Sequence, residues 1–327
     1  MKRLRSPIEL SDMVDLKREV LVLLGQTGIG KTSVSIPLAK MLGAEIISTD
    51  SRQVYTGLDI GTAKPSIAER EGIPHHLIDV ADPRDDFTVA DFQRLAFEKL
   101  EDILSRGRRV LVVGGTGLYI TALTESPTWQ GQPPVPQLRK EILEEIADRG
   151  AQALYEELRR FDPDAAGKIH PNNIPRLVRA VEVVRSTGRK FSDGVASDKR
   201  GREESRYDWK LVGLTMDRET LYERINRRVV AMIEAGWVDE VRGLLEKGLT
   251  GNEKPMTGLG YRDIVAVVRR GINLDEAVER IQRDTRRFAK RQMTYFRKLE
   301  NVNWVEAGEG IDPKETAKRV LVSAGIK

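Results

Sequence analysis

The sequence contains no cysteine and only three histidines. The absence of cysteine excludes disulfide bonds, cysteine-based zinc sites and a thiol nucleophile, and so few histidines argue against a histidine-rich metal centre. The chain also has no apolar run of membrane-spanning length, and its charged N-terminal segment lacks the apolar core of a signal peptide. We therefore expect a cytoplasmic protein without a membrane partner.

A large excess of charge of one sign is missing as well. The 54 basic and 50 acidic residues leave a formal net charge of +4, so only the distribution of charge along the chain can indicate a nucleic-acid partner. The hydrophobic share of 40% is typical of a globular protein. At 327 residues the chain exceeds one ordinary domain, which predicts a large domain and a smaller one.

Short apolar runs alternate with segments of helical period, which predicts a parallel sheet with helices on both faces. Ligands of such sheets bind beyond the carboxyl ends of the strands, where Gly25–Thr32, Asp50 and Thr116 are expected. The fold class is therefore predicted as α/β, a P-loop NTPase-like parallel sheet flanked by helices, with a helical insertion domain. The predicted strands are "EVLVLL" (19–24), "AEIIST" (44–49), "HHLIDV" (75–80), "RRVLVVGG" (108–115) and "WKLVGLTM" (209–216).

Local signals bound several of the predicted helices. Thr88 is placed as the N-cap of a helix that stops at Gly107. Pro37 lies inside the helix "KTSVSIPLAKML" and predicts a kink or a shortened first part. The chain after residue 216 is predicted to be helical throughout.

A change in composition predicts the domain boundary. The stretch 124–137 is rich in proline, glycine and polar residues, and helical patterns follow it. We predict a core domain from 18–126 and 208–327 and a helical insertion domain at 127–207. The polar stretch 190–207 is predicted to be a loop.

The segment "LLGQTGIGKTSV" (23–34) contains Gly-x-x-x-x-Gly-Lys-Thr between a predicted strand and a predicted helix. Glycines let the backbone N–H groups wrap around an anion, and the start of the helix adds positive potential. Lys31 is expected to reach the outer phosphate, and the Thr32 hydroxyl is expected to bind Mg²⁺. The sequence therefore predicts a phosphate-binding loop.

The loop alone does not name the reaction. A nucleotide hydrolase usually has a second acid after another apolar strand, but the run "VLVV" ends in Gly114, Gly115 and Thr116. The available carboxylate is Asp50, which either activates an acceptor beside the phosphates or caps a turn with Ser51. The same layout fits a kinase of a small metabolite.

Longer segments carry a specific resemblance. "STDSRQVYTGLDIGTAKP" (48–65), together with "GQTGIGKT", "VGGTGLY" and "IHPNNIPRLVRAVEV", resembles the tRNA dimethylallyltransferase family in order and spacing, from about Glu19 to Trp304. The family's loop usually begins Gly-Pro-Thr-Ala, and here Gln26 and Gly28 stand in the second and fourth positions. Without cysteine, the chain is similar to the bacterial form that has no zinc finger.

The resemblance implies transfer of a dimethylallyl group from dimethylallyl diphosphate to N6 of the adenosine 3′ to the anticodon of tRNA. Lys31, Thr32 and Asp50 would carry the chemistry, with Mg²⁺ on Thr32. Asp50 would be the base, and we expect a monomer. The implied diphosphate ligands are Gly25, Gln26, Thr27, Gly28, Ile29, Gly30, Lys31, Thr32, Arg224 and Arg228, although the two arginines also fit a solvated basic face.

The resemblance also implies the tRNA contacts. The base would be flipped out of the anticodon loop. The implied contacts are Asp50, Ser51, Arg52, Gln53, Thr116, Arg139, Pro175, Arg176, Leu177, Val178, Arg179, Gly260, Tyr261 and Arg262.

One basic segment stands apart from the resemblance. Residues 280–298 hold eight basic residues against one acid, Asp284. Such a helix fits phosphate binding or, alternatively, a solvated surface. The candidate contacts are Arg283, Arg287, Lys290 and Arg291.

Three other functions remain open at this point. A small-metabolite kinase would leave the basic segment unexplained. An adenylate isopentenyltransferase acting on AMP tends to lack the tRNA-contact segments after residue 137. A nucleic-acid-binding protein with a degenerate loop would not need an intact Lys31, Thr32 and Asp50.

Overall fold

A computed structural model describes residues 18–125, 135–196, 206–308 and 310–326. Its centre is a six-stranded sheet in which every neighbouring pair is parallel, in the order β3-β2-β4-β1-β5-β6. The predicted α/β class is confirmed. The strands are β1 (Arg18–Leu24), β2 (Ala44–Ser48), β3 (His75–His76), β4 (Arg109–Gly114), β5 (Tyr207–Thr215) and β6 (Val302–Glu306).

Burial explains why the apolar runs form the middle of the sheet. Strand β1 pairs with β4 on one side and β5 on the other, and its residues from Val20 to Leu24 are almost fully buried. A strand covered on both faces needs apolar side chains at every position. The carboxyl ends of β1, β2 and β4 therefore meet at one edge, directly before the phosphate loop, Asp50 and Thr116.

Two predictions of secondary structure were wrong. The predicted strand 75–80 ends after His76, because Leu77 and Asp79 have positive φ angles of 62° and 57°, which break an extended ladder. The predicted helical C-terminal part is interrupted by β6. Its sequence, "VNWVE", is short and partly exposed at the sheet edge, so it lacks the buried apolar signal that identified the other strands.

The helices of the described chain are α1 (Lys31–Leu42), α2 (Val89–Ser105), α3 (Gly117–Thr124), α4 (Pro136–Arg149), α5 (Ala151–Phe161), α6 (Pro163–Ala166), α7 (Ile174–Thr187), α8 (Phe191–Ala196), α9 (Arg218–Glu234), α10 (Trp237–Glu246), α11 (Tyr261–Arg270), α12 (Leu274–Phe296) and α13 (Pro313–Ala324). Thr88 caps α2 in a capping box with Asp91, as predicted. Helix α1 runs through Pro37 over its full length, so its first part is not shortened.

The chain contains two compact units. One comprises the described residues up to Thr121 and from Arg206 onward, and the other those between Ala122 and Ser205. The second unit has its own core, which includes Ile142, Leu158 and Val181. The predicted loop 190–207 was wrong in part, because 191–196 form α8 and β5 begins at Tyr207; residues 197–205 lie outside the described ranges.

Within the described ranges, every helix is too short or too polar to span a bilayer.

Candidate active site

The phosphate loop joins β1 to α1 in the backbone conformation that its glycines predict. Gly28 and Gly30 have φ angles of 81° and 98°, a region that side chains strongly disfavour. A Cβ atom on Gly28 would also lie 2.8 Å from Cγ1 of Ile225. Gly30 is the N-cap of α1, so the positive end of this helix follows the loop directly.

Lys31 folds back over the loop. Its Nζ donates hydrogen bonds to the backbone carbonyls of Gly25 at 2.8 Å and Gln26 at 2.9 Å. Burial lowers the pKa of Lys31 to about 8, the charge of Asp50 opposes this shift, and the charge of Arg228 adds to it. An ammonium group held in poorly hydrated surroundings interacts strongly with an incoming anion.

Two arginines of α9 extend this positive site. Arg224 Nε donates to the carbonyl of Gly28 at 3.2 Å, and burial lowers the pKa of the half-buried Arg228. Both side chains line the same pocket as Lys31. The alternative of a fully solvated basic face is therefore wrong for this pair.

The geometry of Asp50 is compatible with both roles that its sequence position allowed. Its Oδ1 accepts hydrogen bonds from the backbone N–H groups of Arg52 at 2.9 Å and Gln53 at 3.3 Å, which caps the turn after β2. Its Oδ2 has no hydrogen-bond partner among the described residues, and the side chain lines the pocket. One carboxylate oxygen therefore fixes the side chain, and the other is free to accept a proton.

Hydrogen bonds within the chain fix the residues around Asp50. The Thr116 hydroxyl accepts from the Ser51 N–H at 3.1 Å and donates to the Ser51 hydroxyl at 3.3 Å. Arg52 donates to the Lys254 carbonyl at 2.9 Å. The Gln53 side-chain amide donates to two carbonyls, of Thr62 and Ala63, at 3.3 and 3.2 Å. The side chains of Arg52 and Gln53 thus have internal partners in this state.

All these groups face one pocket of about 990 Å³, large enough for a small ligand and part of a second one. Its wall includes the phosphate loop, the 50–53 turn and the end of β4, together with apolar side chains. The apolar side chains come from α9 and α12 and include Val229, Met232 and Phe288. An anionic group and an apolar group can therefore lie side by side in this pocket.

The pocket offers few ligands for a cation. No group of three or more His, Asp or Glu side chains gathers anywhere in the described chain, so these residues provide no cage of side chains alone. Magnesium usually takes one or two carboxylates or hydroxyls and completes its coordination with phosphate oxygens and water. Thr32, which lines the pocket, supplies a hydroxyl that fits that pattern.

The candidate RNA contacts on α12 divide into two groups. Asp284 lies within 3.6 Å of guanidinium nitrogens of Arg262, Arg283 and Arg287, and this proximity lowers the pKa of Asp284. Lys290 and Arg291 are exposed and form no ion pair within the described chain, and Arg291 lies 5.8 Å from the centre of the Phe288 ring.

Some side chains of the candidate list are buried. Tyr261 is 2% exposed, packs edge-on against Trp237 and donates its hydroxyl to Glu240 at 2.6 Å. Burial raises the pKa of this tyrosine. Leu177 and Val178 belong to the core of the helical unit. Neighbouring side chains cover these three residues. The prediction that their side chains contact RNA directly is therefore wrong.

The helical unit holds the remaining candidates. Pro175 and Arg176 are exposed at the start of α7. Arg139 and Arg179 both donate to the fully buried carboxylate of Glu182, at 3.0 and 2.8 Å. These two arginines therefore have a structural partner inside their own unit.

Comparisons with known proteins supply the deciding observation. The family model described as IPP transferase matches residues 53–299. The chain belongs to the IPP transferase family. Among the relatives of this family member, the tRNA dimethylallyltransferase of Acetivibrio thermocellus is 46% identical over 290 residues, which cover 89% of this chain and 92% of the relative. That of Bacillus subtilis is 42% identical over 309 residues, 94% of this chain and 97% of the relative.

Solved structures agree with this family. The chain is similar to the tRNA isopentenylpyrophosphate transferase of Bacillus halodurans, with a TM-score of 0.70, 39% identity and coverage of 94% of this chain and 96% of that one. A eukaryotic dimethylallyltransferase acting on tRNA has a TM-score of 0.79 at 28% identity, with coverage of 94% and 78%.

The sequence-based prediction of the IPP transferase site missed several residues that hold it together. Glu240 accepts from the N–H groups of Asp59 and Ile60 at 2.8 and 2.6 Å, and thereby fixes the turn that faces the pocket. Gln292 of α12 bridges the phosphate loop and the end of β4. A single acid in α10 and a single glutamine within a basic helix give no motif, so sequence alone offered no signal for either.

Proposed function

We propose that the protein transfers the dimethylallyl group of dimethylallyl diphosphate to N6 of the adenosine 3′ to the anticodon (position 37) of tRNA. The products are N6-dimethylallyladenosine and diphosphate. One observation carries the proposal: in a chain of the IPP transferase family, a cationic phosphate loop faces the same pocket as a carboxylate oxygen that has no hydrogen-bond partner among the residues that the structure describes.

The donor end of the pocket suits a diphosphate leaving group. The loop N–H groups, Lys31, Arg224 and Arg228 present positive charge in a partly dehydrated site. Fixed donors of this kind stabilise charge that develops as a bond breaks. Here that charge is the electron pair that leaves with the diphosphate when the allylic C1–O bond breaks. Gly25, Gln26, Thr27, Gly28, Ile29, Gly30 and Thr32 complete the proposed diphosphate site.

The acceptor end suits an exocyclic amine. The N6 lone pair attacks C1 of the allyl group, and a proton must leave nitrogen as the new C–N bond forms. Asp50 Oδ2 is available to take that proton, while Oδ1 keeps the side chain oriented through Arg52 and Gln53. Thr116 holds the neighbouring Ser51 and lies at the same rim.

A divalent cation fits beside these groups, and we propose Mg²⁺. Thr32 would hold it together with the diphosphate. When bound, it would supply additional positive charge for the leaving group.

The acceptor RNA is expected to contact cations of α12 and, separately, residues of the helical unit. Lys290 and Arg291 are exposed cations without an ion-pair partner in the described chain, while Arg283, Arg287 and Arg262 share Asp284. Phosphate contacts of this kind position RNA, and a flipped base can then enter a pocket. We propose that Ser51, Arg52, Gln53 and Gly260 lie near the flipped base, and that Arg139, Arg176 and Arg179 of the insertion domain contact the anticodon stem-loop.

A transfer assay tests this function. Purified protein, Mg²⁺ and labelled dimethylallyl diphosphate are incubated with unmodified tRNA or, separately, with AMP. Label in tRNA alone is expected. Label in AMP would favour an adenylate isopentenyltransferase. No label in either acceptor would favour a kinase of a small metabolite, and ATP would then be the next donor to test. Because tRNA is the proposed acceptor, we expect the protein to act in the cytoplasm, and we propose a monomer.

A further inference from the structure

Gln292 contacts both halves of the pocket. This residue of α12 is 8% exposed. Its Oε1 accepts the N–H of Thr27, within the phosphate loop, at 2.8 Å. Its Nε2 donates to the carbonyl of Gly115, after β4, at 2.8 Å. Gly115 precedes Thr116, which holds Ser51 beside Asp50.

The site is built around this amide. A Cβ atom on Gly115 would lie 2.6 Å from Gln292 Nε2 and 3.5 Å from Lys31 Nζ. The first distance is too short for a real contact and the second is an ordinary one, so the glycine at position 115 leaves room for the Gln292 amide in its present place. One turn earlier on the same helix, the Ala289 carbonyl accepts from the Gln26 side chain at 2.9 Å, so α12 holds the phosphate loop at two successive points.

We propose that Gln292 is a positioning residue that sets the distance between the diphosphate held by the loop and the acceptor held beside Asp50. The inference rests on the proposed function for its substrates. In-line transfer requires the reacting atoms to be held close to their reactive distance, and a displacement of about 1 Å can cost about 100-fold in rate. Gln292 fixes the loop and the β4 end relative to each other through two hydrogen bonds of one side chain.

A methionine substitution tests the hydrogen bonds while keeping length and packing. Gln292→Met loses both bonds and removes the protein acceptor of the half-buried Thr27 N–H. We expect its single-turnover transfer rate to fall by about 10- to 100-fold, with the Kd for tRNA within about twofold of the wild type. The matched control is Gln282→Met on the same helix, where Gln282 donates to the Asn226 carbonyl at 3.2 Å and does not line the pocket. This control should keep the wild-type rate.

A glutamate substitution gives a readout that loss of packing alone would not produce. Gln292→Glu keeps an acceptor for the Thr27 N–H but loses the donor to the Gly115 carbonyl, so the loop is no longer tied to the end of β4. With saturating dimethylallyl diphosphate and tRNA, its single-turnover rate should still lie about 10- to 100-fold below that of the wild type. A purely structural role would lower the Tm and leave the rate at saturation unchanged.

The outcomes separate this proposal from the proposed function. Wild-type protein is assayed first, and no transfer to tRNA would contradict the function. In that case inorganic diphosphate binding still tests Gln292, because a loosened loop should weaken it in Gln292→Met and not in Gln282→Met. A wild-type rate in Gln292→Met, equal losses in both methionine variants, or a wild-type rate at saturation in Gln292→Glu would overturn the positioning role.

Discussion

Replacing Asp50 by asparagine separates its two functions. The asparagine oxygen can still accept the N–H groups of Arg52 and Gln53, so the turn after β2 should remain capped. What is lost is the proton acceptor at Oδ2. We therefore expect Asp50→Asn to fold as the wild type and to lose transfer activity.

The size of this loss follows from the step that Asp50 is proposed to serve. Removal of a positioned general base usually costs about 10²- to 10⁴-fold in rate, which corresponds to about 3–5 kcal/mol in the barrier. The charge of Asp50 also raises the pKa of Lys31, so the variant should have a lower Lys31 pKa. Assays at about pH 6.5 keep Lys31 protonated in both proteins and isolate the base.

The assay is single-turnover transfer of labelled dimethylallyl groups to tRNA, since product release can hide changes in the chemical step. Asp50→Ala is the companion variant, because it removes the cap together with the base. Two lost backbone hydrogen bonds should lower its stability by about 1–3 kcal/mol, whereas Asp50→Asn should keep its Tm. Both variants should bind tRNA nearly as the wild type does. A wild-type rate in Asp50→Asn would refute the assignment of the base.

Three further perturbations address the other parts of the molecule. Transfer activity should fall about tenfold per pH unit above about pH 8, because Lys31 loses its charge there. Lys31→Met should weaken binding of dimethylallyl diphosphate, measured by calorimetry, and should abolish this fall in activity at high pH. An unchanged affinity for the donor would contradict the assignment of the phosphate loop. The double variant Lys290→Ala with Arg291→Ala should lower the slope of log Kd for tRNA against log salt concentration by about 0.7 per lost phosphate contact. The control is the double variant Lys318→Ala with Arg319→Ala, on α13 outside the pocket, which should leave this slope unchanged. Glu182→Ala should lower the Tm of the helical unit, because Arg139, Arg179 and the Val135 N–H lose their shared acceptor. An unchanged melting curve would show that this buried carboxylate contributes little to the stability of the unit.

The sequence predicts this fold well wherever burial acts on the chain continuously. Strands β1 and β4 each contain an unbroken apolar run, and β2 and the second half of β5 are buried and mostly apolar. Strand β6 lies at the sheet edge and has exposed side chains, so its pattern carries no such signal. His75 and His76 begin an apolar run, but the positive φ angles after them depend on tertiary contacts that local propensity does not encode.

The candidate site divides along a similar line. Lys31, Thr32 and Asp50 could be found from sequence because the phosphate loop is contiguous and Asp50 directly follows a buried strand. Gln292 and Glu240 could not, because each acts through backbone groups of segments far away in the chain, and any side chain of suitable shape could have done so. Tyr261 shows the opposite error: a residue in a motif can support its neighbours from the core, and of Gly260, Tyr261 and Arg262 only Arg262 is exposed.

The loop explains why a kinase and a prenyltransferase are hard to tell apart from the first 50 residues. Loop N–H groups, a lysine and a hydroxyl stabilise a departing diphosphate whether it leaves from phosphorus or from an allylic carbon, because in both cases negative charge develops on the same oxygens. The difference must lie beside the loop. Here an apolar wall from α9 and α12 lies next to the cations. A five-carbon chain would be dehydrated against this wall, whereas a triphosphate would find no favourable contact there. The same helix α12 carries exposed cations on its outer face and holds the phosphate loop through Gln292 on its inner face, so under the proposed function this one element would connect RNA binding to the geometry of the donor.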